Sequence, residues 1–324
     1  MKAAVLTKFG AAPVYQDFAD PIPQNDEQIL INVKAASVKN IDKLRAGGKH
    51  YASHKELPAI VGLDGAGVLE NGKRVYAQGI TGMIAEKALI ANNRFTILPD
   101  NIDNTVAAAL PNAAMGAAMA ILFRDKMQTG NTILINGATG VTGRVAVQVA
   151  KHYGAAKIIV TGRNADSLEK LTQLGADHVV SLKQDDESII KQLKEINNDS
   201  PIDIVIDYLW GHPIELIIRS LLSGGISQFN HPVRIVTVGD MAGENINLSS
   251  GILRSSSIEI LGSGLGSFSQ NDLKKFNSQI LPEMFQLAAD RKLIIETQVE
   301  KLAVIETVWN KDIEAGKRLV ISMD

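Results

Sequence analysis

"ILINGATGVTGRVAVQVAKHYG", residues 133–154, carries an apolar run into glycines 137, 140 and 143 and out again into a helical pattern. The run "TILIN" reads as a strand, and Val141, Val145 and Val149 read as one apolar face of a helix. The glycines therefore sit at a strand-to-helix turn. There the unpaired N–H groups of the first helical residues, with the helix dipole behind them, attract a diphosphate, and loop side chains would block its approach. Gly140 and Gly143 match the second and third glycines of the GxGxxG fingerprint, with Ala138 in the first place. Gly140 is expected to admit the diphosphate, and Gly143 to let the helix pack on the sheet.

Several βα units follow in order. The strand-like runs "KIIVT", "HVVS", "IDIVID", "RIVTV" and "IEIL" alternate with helix-length patterns, the signature of a parallel sheet with crossover helices. Asn164 or Asp166 can cap the helix that carries "SLEKLTQL", and Gly175 can end it. Residues 1 to about 100 have a different texture: short apolar runs separated by glycines and by "NG" read as β-rich structure. The tail from about residue 292 returns to that texture, and its last strand, "RLVIS", is expected to pair back with the first domain. A chain of 324 residues has room for two domains.

With 33 basic and 35 acidic residues and a pI near 6.3, the chain lacks the electrostatic footprint of a nucleic-acid binder. The absence of cysteine excludes disulfides, a thiolate nucleophile, iron–sulfur clusters and a four-cysteine zinc site. "MKAAVLTKFG" is no signal peptide, which points to a cytoplasmic protein. The uncharged stretch at 104–123 approaches the length of a membrane span, but it is rich in alanine and interrupted by Pro111 and Asn112. A buried helix entered at Pro111 is expected instead, and no membrane partner.

The adenosine end of the nucleotide can also be read. NAD-binding folds place an acidic residue about 20 positions past the loop. Here that region reads "IIVTGRNADS", with no carboxylate from Ile158 to Ala165 and with Arg163 in the decisive place. A guanidinium grips a 2′-phosphate bidentately, so the cofactor expected is NADPH; a solvated Arg163, with Asp166 nearby, is the alternative. Two YxxxK spacings, Tyr51 with Lys55 and Tyr153 with Lys157, read as coincidence, because Tyr153 ends one helix and Lys157 opens a strand. His50 and His54 are four apart in a segment that reads as loop, a poor metal pair.

Taken together, "AASVKNIDKLRAGG" (35–48), "LPAIVGLDGAGVLENGKRVYA" (57–77), "NGATGVTG", "LGADHVVS" (174–181), "DYLWG" (207–211) and "RIVTVG" (234–239) resemble the zinc-less medium-chain dehydrogenase/reductases of the quinone oxidoreductase type. The resemblance implies an α/β chain: a GroES-like β-rich catalytic domain of residues 1–112 and 291–324, and a Rossmann doubly wound parallel-sheet domain of residues 113–290. It also implies a substrate cleft at their junction and a homodimer, with "SIEILGSGLG" a candidate pairing strand. Zinc-dependent relatives carry a catalytic cysteine in the "AASV" region and a GHE signature, which here reads Gly62, Leu63, Asp64. The implied function is transfer of hydride from NADPH to a quinone or an α,β-unsaturated carbonyl without a metal. The alternatives are a noncatalytic NADPH-binding redox sensor or partner-binding protein, and an alcohol dehydrogenase acting on unconjugated carbonyls.

Tyr51 matches a tyrosine placed near the substrate in this family and is the candidate proton donor or anchor; packing of a loop tyrosine is the alternative. Lys39 replaces an asparagine that lines the site, and Leu44 replaces a tyrosine, whereas Asp42 keeps the acidic position. Lys39 is expected either to stabilise an oxyanion or contact the cofactor, or to be an exposed lysine paired with Asp42. The family pattern assigns Gly137, Ala138, Thr139, Gly140 and Val141 to the diphosphate, Gly162 and Arg163 to the adenosine phosphate, and Val238 and Gly239 to the nicotinamide. Tyr208, placed with the cofactor-binding residues, and Trp210 either face the switch-point crevice or serve as core or cap packing.

Overall fold

Alternating apolar and polar residues, broken at glycine turns, make the first hundred residues a set of β-strands. The structure is a computed structural model that describes residues 1–49, 51–222 and 231–323. The strands are β1 (Lys2–Leu6), β2 (Val14–Asp17) and β3 (Gln28–Ser37), then, after helix α1 (Asn40–Ala46), β4 (Ala59–Ile60), β5 (Asp64–Leu69), β6 (Arg74–Gly79) and β7 (Lys87–Ile97). The "NG" at 71–72 closes the β5–β6 hairpin, with Gly72 at φ +81°.

Helix α2 (Asn104–Ala118) leads into the alternating part: β8 (Thr132–Asn136), α3 (Val141–His152), β9 (Lys157–Gly162), α4 (Ala165–Leu174), β10 (His178–Ser181), α5 (Asp186–Asp199), β11 (Ile204–Asp207), α6 (Gly211–Leu221), β12 (Val233–Thr237) and β13 (Ile258–Gly262). The chain closes with β14 (Glu296–Lys301) and β15 (Lys317–Ser322). It divides into two compact units, Met1–Pro111 with Asn277–Asp324, and Asn112–Phe276.

In the first unit β2, β1 and β4 form a three-stranded antiparallel sheet, and a six-stranded sheet runs β14-β15-β3-β5-β6-β7. β3 also pairs with β7, which closes four of these strands into a barrel-like ring. The tail strand β15 pairs antiparallel with β3, Val320 opposite Ser37. Leu6, Ile31, Met83, Ile84, Ile90 and Trp309 are among the residues of the apolar core.

In the second unit the sheet is parallel, with strand order β10-β9-β8-β11-β12-β13. The order reverses direction between β8 and β11, the topological switch point of a doubly wound fold. Asn136, Asp207 and Thr237 lie level at the carboxyl ends of β8, β11 and β12. Leu134, Ile159, Val205, Ile217 and Ile235 anchor the core beneath them.

One expectation is corrected. The apolar helix does not start at Pro111: it starts at Asn104, after Asp103 accepts the Thr105 N–H at 2.7 Å, and Pro111 lies inside it. An interior proline forfeits a hydrogen bond and costs roughly 3 kcal/mol. Burial of most of the helix offsets that cost: Ala107, Ala108, Ala109, Leu110, Ala113 and Ala114 are sealed from solvent, and Asn112 is exposed. A π-helical stretch, Met119–Arg124, continues the helix. By length and composition the combined segment could cross a membrane, yet 67% of its most apolar window is buried within the fold.

Candidate functional site

The glycine loop fills the turn between β8 and α3. Gly137 takes φ +83°, and the extended Gly140 is the N-cap of α3. A Cβ on Gly143 would meet the Ala138 Cα at 2.5 Å, so only glycine lets the helix seat this closely. A Cβ on Gly162, at the end of β9, would lie 2.4 Å from the Thr139 methyl. Gly140 is the opposite case: it is exposed, and the nearest atom to a Cβ there is 3.9 Å away. The loop is thus packed from behind and open in front, at a helix N-terminus. Ala138 is buried behind it, and Thr139 and Val141 are half-buried. This backbone fits a dinucleotide diphosphate.

Beneath the loop lies a buried hydrogen-bond network. The Asn136 amide donates to Asp207 Oδ1 at 2.7 Å and accepts from the Thr161 hydroxyl at 2.5 Å, while the Gly137 N–H donates to Thr161 Oγ1 at 3.2 Å. Asp207 also accepts the Leu209 N–H at 3.0 Å and the Trp210 N–H at 3.1 Å. Its own carbonyl receives the Val238 N–H at 2.7 Å. Burial pushes the Asp207 carboxyl up, against the pull of the Leu209 N–H and the Asn136 amide. Asp207 therefore braces the end of β8 and the turn after β11 through its carboxylate, and the turn after β12 through its backbone carbonyl. That middle turn is strained, since Trp210 takes φ +53°.

The other assigned nucleotide residues occupy the same carboxyl edge. Arg163 follows the buried Gly162 and is exposed. Asn164, not Asp166, caps α4, accepting the Ser167 N–H at 2.8 Å. Val238 and Gly239 are half-buried. Tyr208 is only 8% exposed and its hydroxyl donates to the Gly116 carbonyl at 3.2 Å, so it packs within the unit. Asn136, Thr161 and Asp207 were not singled out from sequence as site residues. A signal existed: each is the polar residue that closes an apolar strand run, in "TILIN", "IIVT" and "IVID".

In the first unit Lys39 and Asp42 sit at the N-terminus of α1, and both are buried, 2% and 3% exposed. Lys39 is paired with Asp42 but is not the exposed lysine that sequence allowed. Its ammonium lies 2.8 Å from Asp64 Oδ1, 2.9 Å from the Ser37 carbonyl, 3.1 Å from the Ser37 hydroxyl and 3.2 Å from Asp42 Oδ2. Burial opposes this charge, but Asp42 and Asp64 outweigh it and hold the lysine above its ordinary range. Asp42 also accepts the Lys39 N–H at 2.9 Å and the Leu63 N–H at 2.8 Å, which ties α1 to the entry of β5. The Tyr76 hydroxyl bonds Asp64, and burial with the Asp64 charge pushes the phenol up. Arg318 of β15, half-buried, stands in the field of the same two carboxylates.

Tyr51 lies on the loop beyond α1 and is 87% exposed, and Leu44 is exposed as well. His50 lies outside the described residues. His54 is half-buried and shares with Arg45, Pro58, Ile60, Gly62 and Ile80 a cavity of about 420 Å³.

Residues 141–281 match the family described as zinc-binding dehydrogenase. The chain is 30% identical over 273 residues to a quinone oxidoreductase of Sus scrofa, covering 80% of this chain and 79% of that protein. An NADPH-dependent alkenal/one oxidoreductase of Arabidopsis thaliana is 34% identical over 55% of this chain and 51% of its own length. The fold superimposes on a mycobacterial quinone oxidoreductase with a TM-score of 0.84, at 19% identity and 99% coverage of both chains. Fold and sequence together define an α/β oxidoreductase of GroES-like and Rossmann parts. The chain belongs to the quinone oxidoreductase-like branch of the medium-chain dehydrogenase/reductase superfamily.

The family description names zinc, and its match spans residues 141–281. Among the described residues no group of three or more His, Asp or Glu side chains could hold a metal ion. Asp42 and Asp64 converge, but on the Lys39 ammonium.

Proposed function

We propose that this protein is an NADPH-dependent reductase of quinones and α,β-unsaturated carbonyls that works without a metal, as a cytoplasmic homodimer paired along β13. The observation that carries this reading is the open glycine loop at the start of α3, followed one βα unit later by the exposed Arg163. Gly137 to Val141 hold the diphosphate, Gly162 and Arg163 the 2′-phosphate, and Val238 and Gly239 border the nicotinamide. The cofactor supplies hydride. A conjugated acceptor suits a metal-free site, because its developing enolate or phenolate charge needs only hydrogen-bond donors. Tyr51 donates the proton that completes the reduction or anchors the acceptor, while Lys39 and Asp42 fix the helix before it. The names of the pig and plant relatives agree with this substrate class.

The test follows loss of NADPH or NADH absorbance by the purified protein with a panel of quinones, enones and simple ketones. Turnover of quinones or enones with NADPH is expected. Tight NADPH binding with no turnover of any acceptor would overturn the enzymatic reading.

A further inference from the structure

The Lys39 cluster has the composition of a cation site. Four oxygens from three residues surround a single point: two carboxylates, one carbonyl and one hydroxyl, all 2.8–3.2 Å from Nζ. Oxygen donors of these types suit hard divalent ions. An ammonium has three protons. The three nearest oxygens, from Asp64 and from both Ser37 groups, take all three, and the side chain is 1% exposed. No proton is left to point at a substrate. Asp42 and Asp64 are buried around Lys39 with only the half-buried Arg318 as a further cation in their field, and removing the ammonium leaves their negative charge without its direct partner.

We infer that the Lys39 ammonium is the built-in cation of this cage: it takes the place of a metal ion, welds α1 to β5, and acts as a positioning residue with no direct part in proton transfer. The inference goes beyond the proposed reductase activity and does not depend on it. The ion is covalently attached and cannot be chelated away.

The test compares wild type with Lys39→Ala, using Mn²⁺ and Zn²⁺ as probes in calorimetry and in metal analysis after dialysis. Wild type should retain neither ion, and its melting temperature should not respond to them. Lys39→Ala should take up about one Mn²⁺ per chain and regain thermal stability on doing so. Adding Asp64→Asn to that variant should abolish the uptake. Stoichiometric metal in wild type, or a folded Lys39→Ala variant that takes up neither ion, would overturn the inference. If Lys39→Ala folds only when Mn²⁺ is supplied, the inference stands. If it folds under no condition, amine-directed labelling of native wild type decides. Lys39 should stay unmodified while Lys49 and Lys55 react, and labelling of Lys39 at their rate would overturn the proposal.

Discussion

The Lys39 cluster of the first unit and the Asp207 cluster of the second are both buried, and they are satisfied in different ways. The Lys39 cluster in the first unit balances charge against charge, with partners brought together from β3, α1, β5, β6 and β15. The Asp207 cluster in the second unit gives a carboxylate to neutral donors, mostly backbone N–H groups of the loops it supports. Paired buried charges hold a scaffold together and fail badly when one partner is lost. A carboxylate bonded to backbone N–H groups fixes the path of a loop, so its loss should appear first as misplacement.

Lys39→Met should therefore have the largest effect. It strands two buried carboxylates and should cost about 3–5 kcal/mol in urea unfolding. A loss under about 1 kcal/mol would mean that the pocket admits water and the contrast between the clusters is false. Asp207→Ala should cost less, about 2–3 kcal/mol, but should raise the KM for the nicotinamide cofactor at least about tenfold with little change in the KM for the acceptor. Asp207→Asn keeps one acceptor oxygen and should recover part of the cofactor affinity. Equal changes in both constants would reduce Asp207 to a purely structural role.

Arg163→Ala should weaken NADPH by about ten- to a hundredfold and leave NADH nearly unchanged, as measured by fluorescence titration. Equal losses would remove Arg163 from the phosphate site. The smallest effect is expected at a fourth buried carboxylate, Asp125. Among the described residues its carboxylate pairs with the half-exposed Arg234 at 3.1 Å, and its Oδ2 has no hydrogen-bond partner. Burial pushes Asp125 up to about 7, against the pull of Arg234 and aided by Asp203 and Glu259. Because the native value lies above the unfolded one, Asp125 contributes stability that is fully present below pH 4 and is lost as pH rises to 7. Asp125→Asn should flatten the melting-temperature profile across that window and be the more stable protein at pH 8, on the order of 1 kcal/mol.

The second unit was largely legible in the sequence because its signals are local. Strand runs, the Asn164 cap and the Gly175 terminus each depend on residues within a few positions of one another. The glycine loop belongs to the same class, and Gly143 is required where the fingerprint put it. The Lys39 cage was not legible. Lys39 and Asp42 look like an ordinary helix-start pair until β5 brings in Asp64, 25 residues away, and β15 brings in Arg318 from the end of the chain. Pro111 misled for a related reason: local chemistry favours a helix start there, and only burial of the surrounding alanines overrides it. Tyr208 belongs to a motif that sequence could read, but its burial against Gly116 is a tertiary fact.

The chain has two tryptophans, and the fold assigns one to each unit. Trp309 is 3% exposed in the core of the first, and Trp210 sits half-buried in the strained turn braced by Asp207 in the second. Replacing either with phenylalanine turns intrinsic fluorescence into a single-unit reporter. The red shift of Trp309 emission then follows the melting of the β-rich unit, and that of Trp210 the release of the turn beside the glycine loop. Two transitions that coincide in unmodified protein can thus be separated without attaching a label.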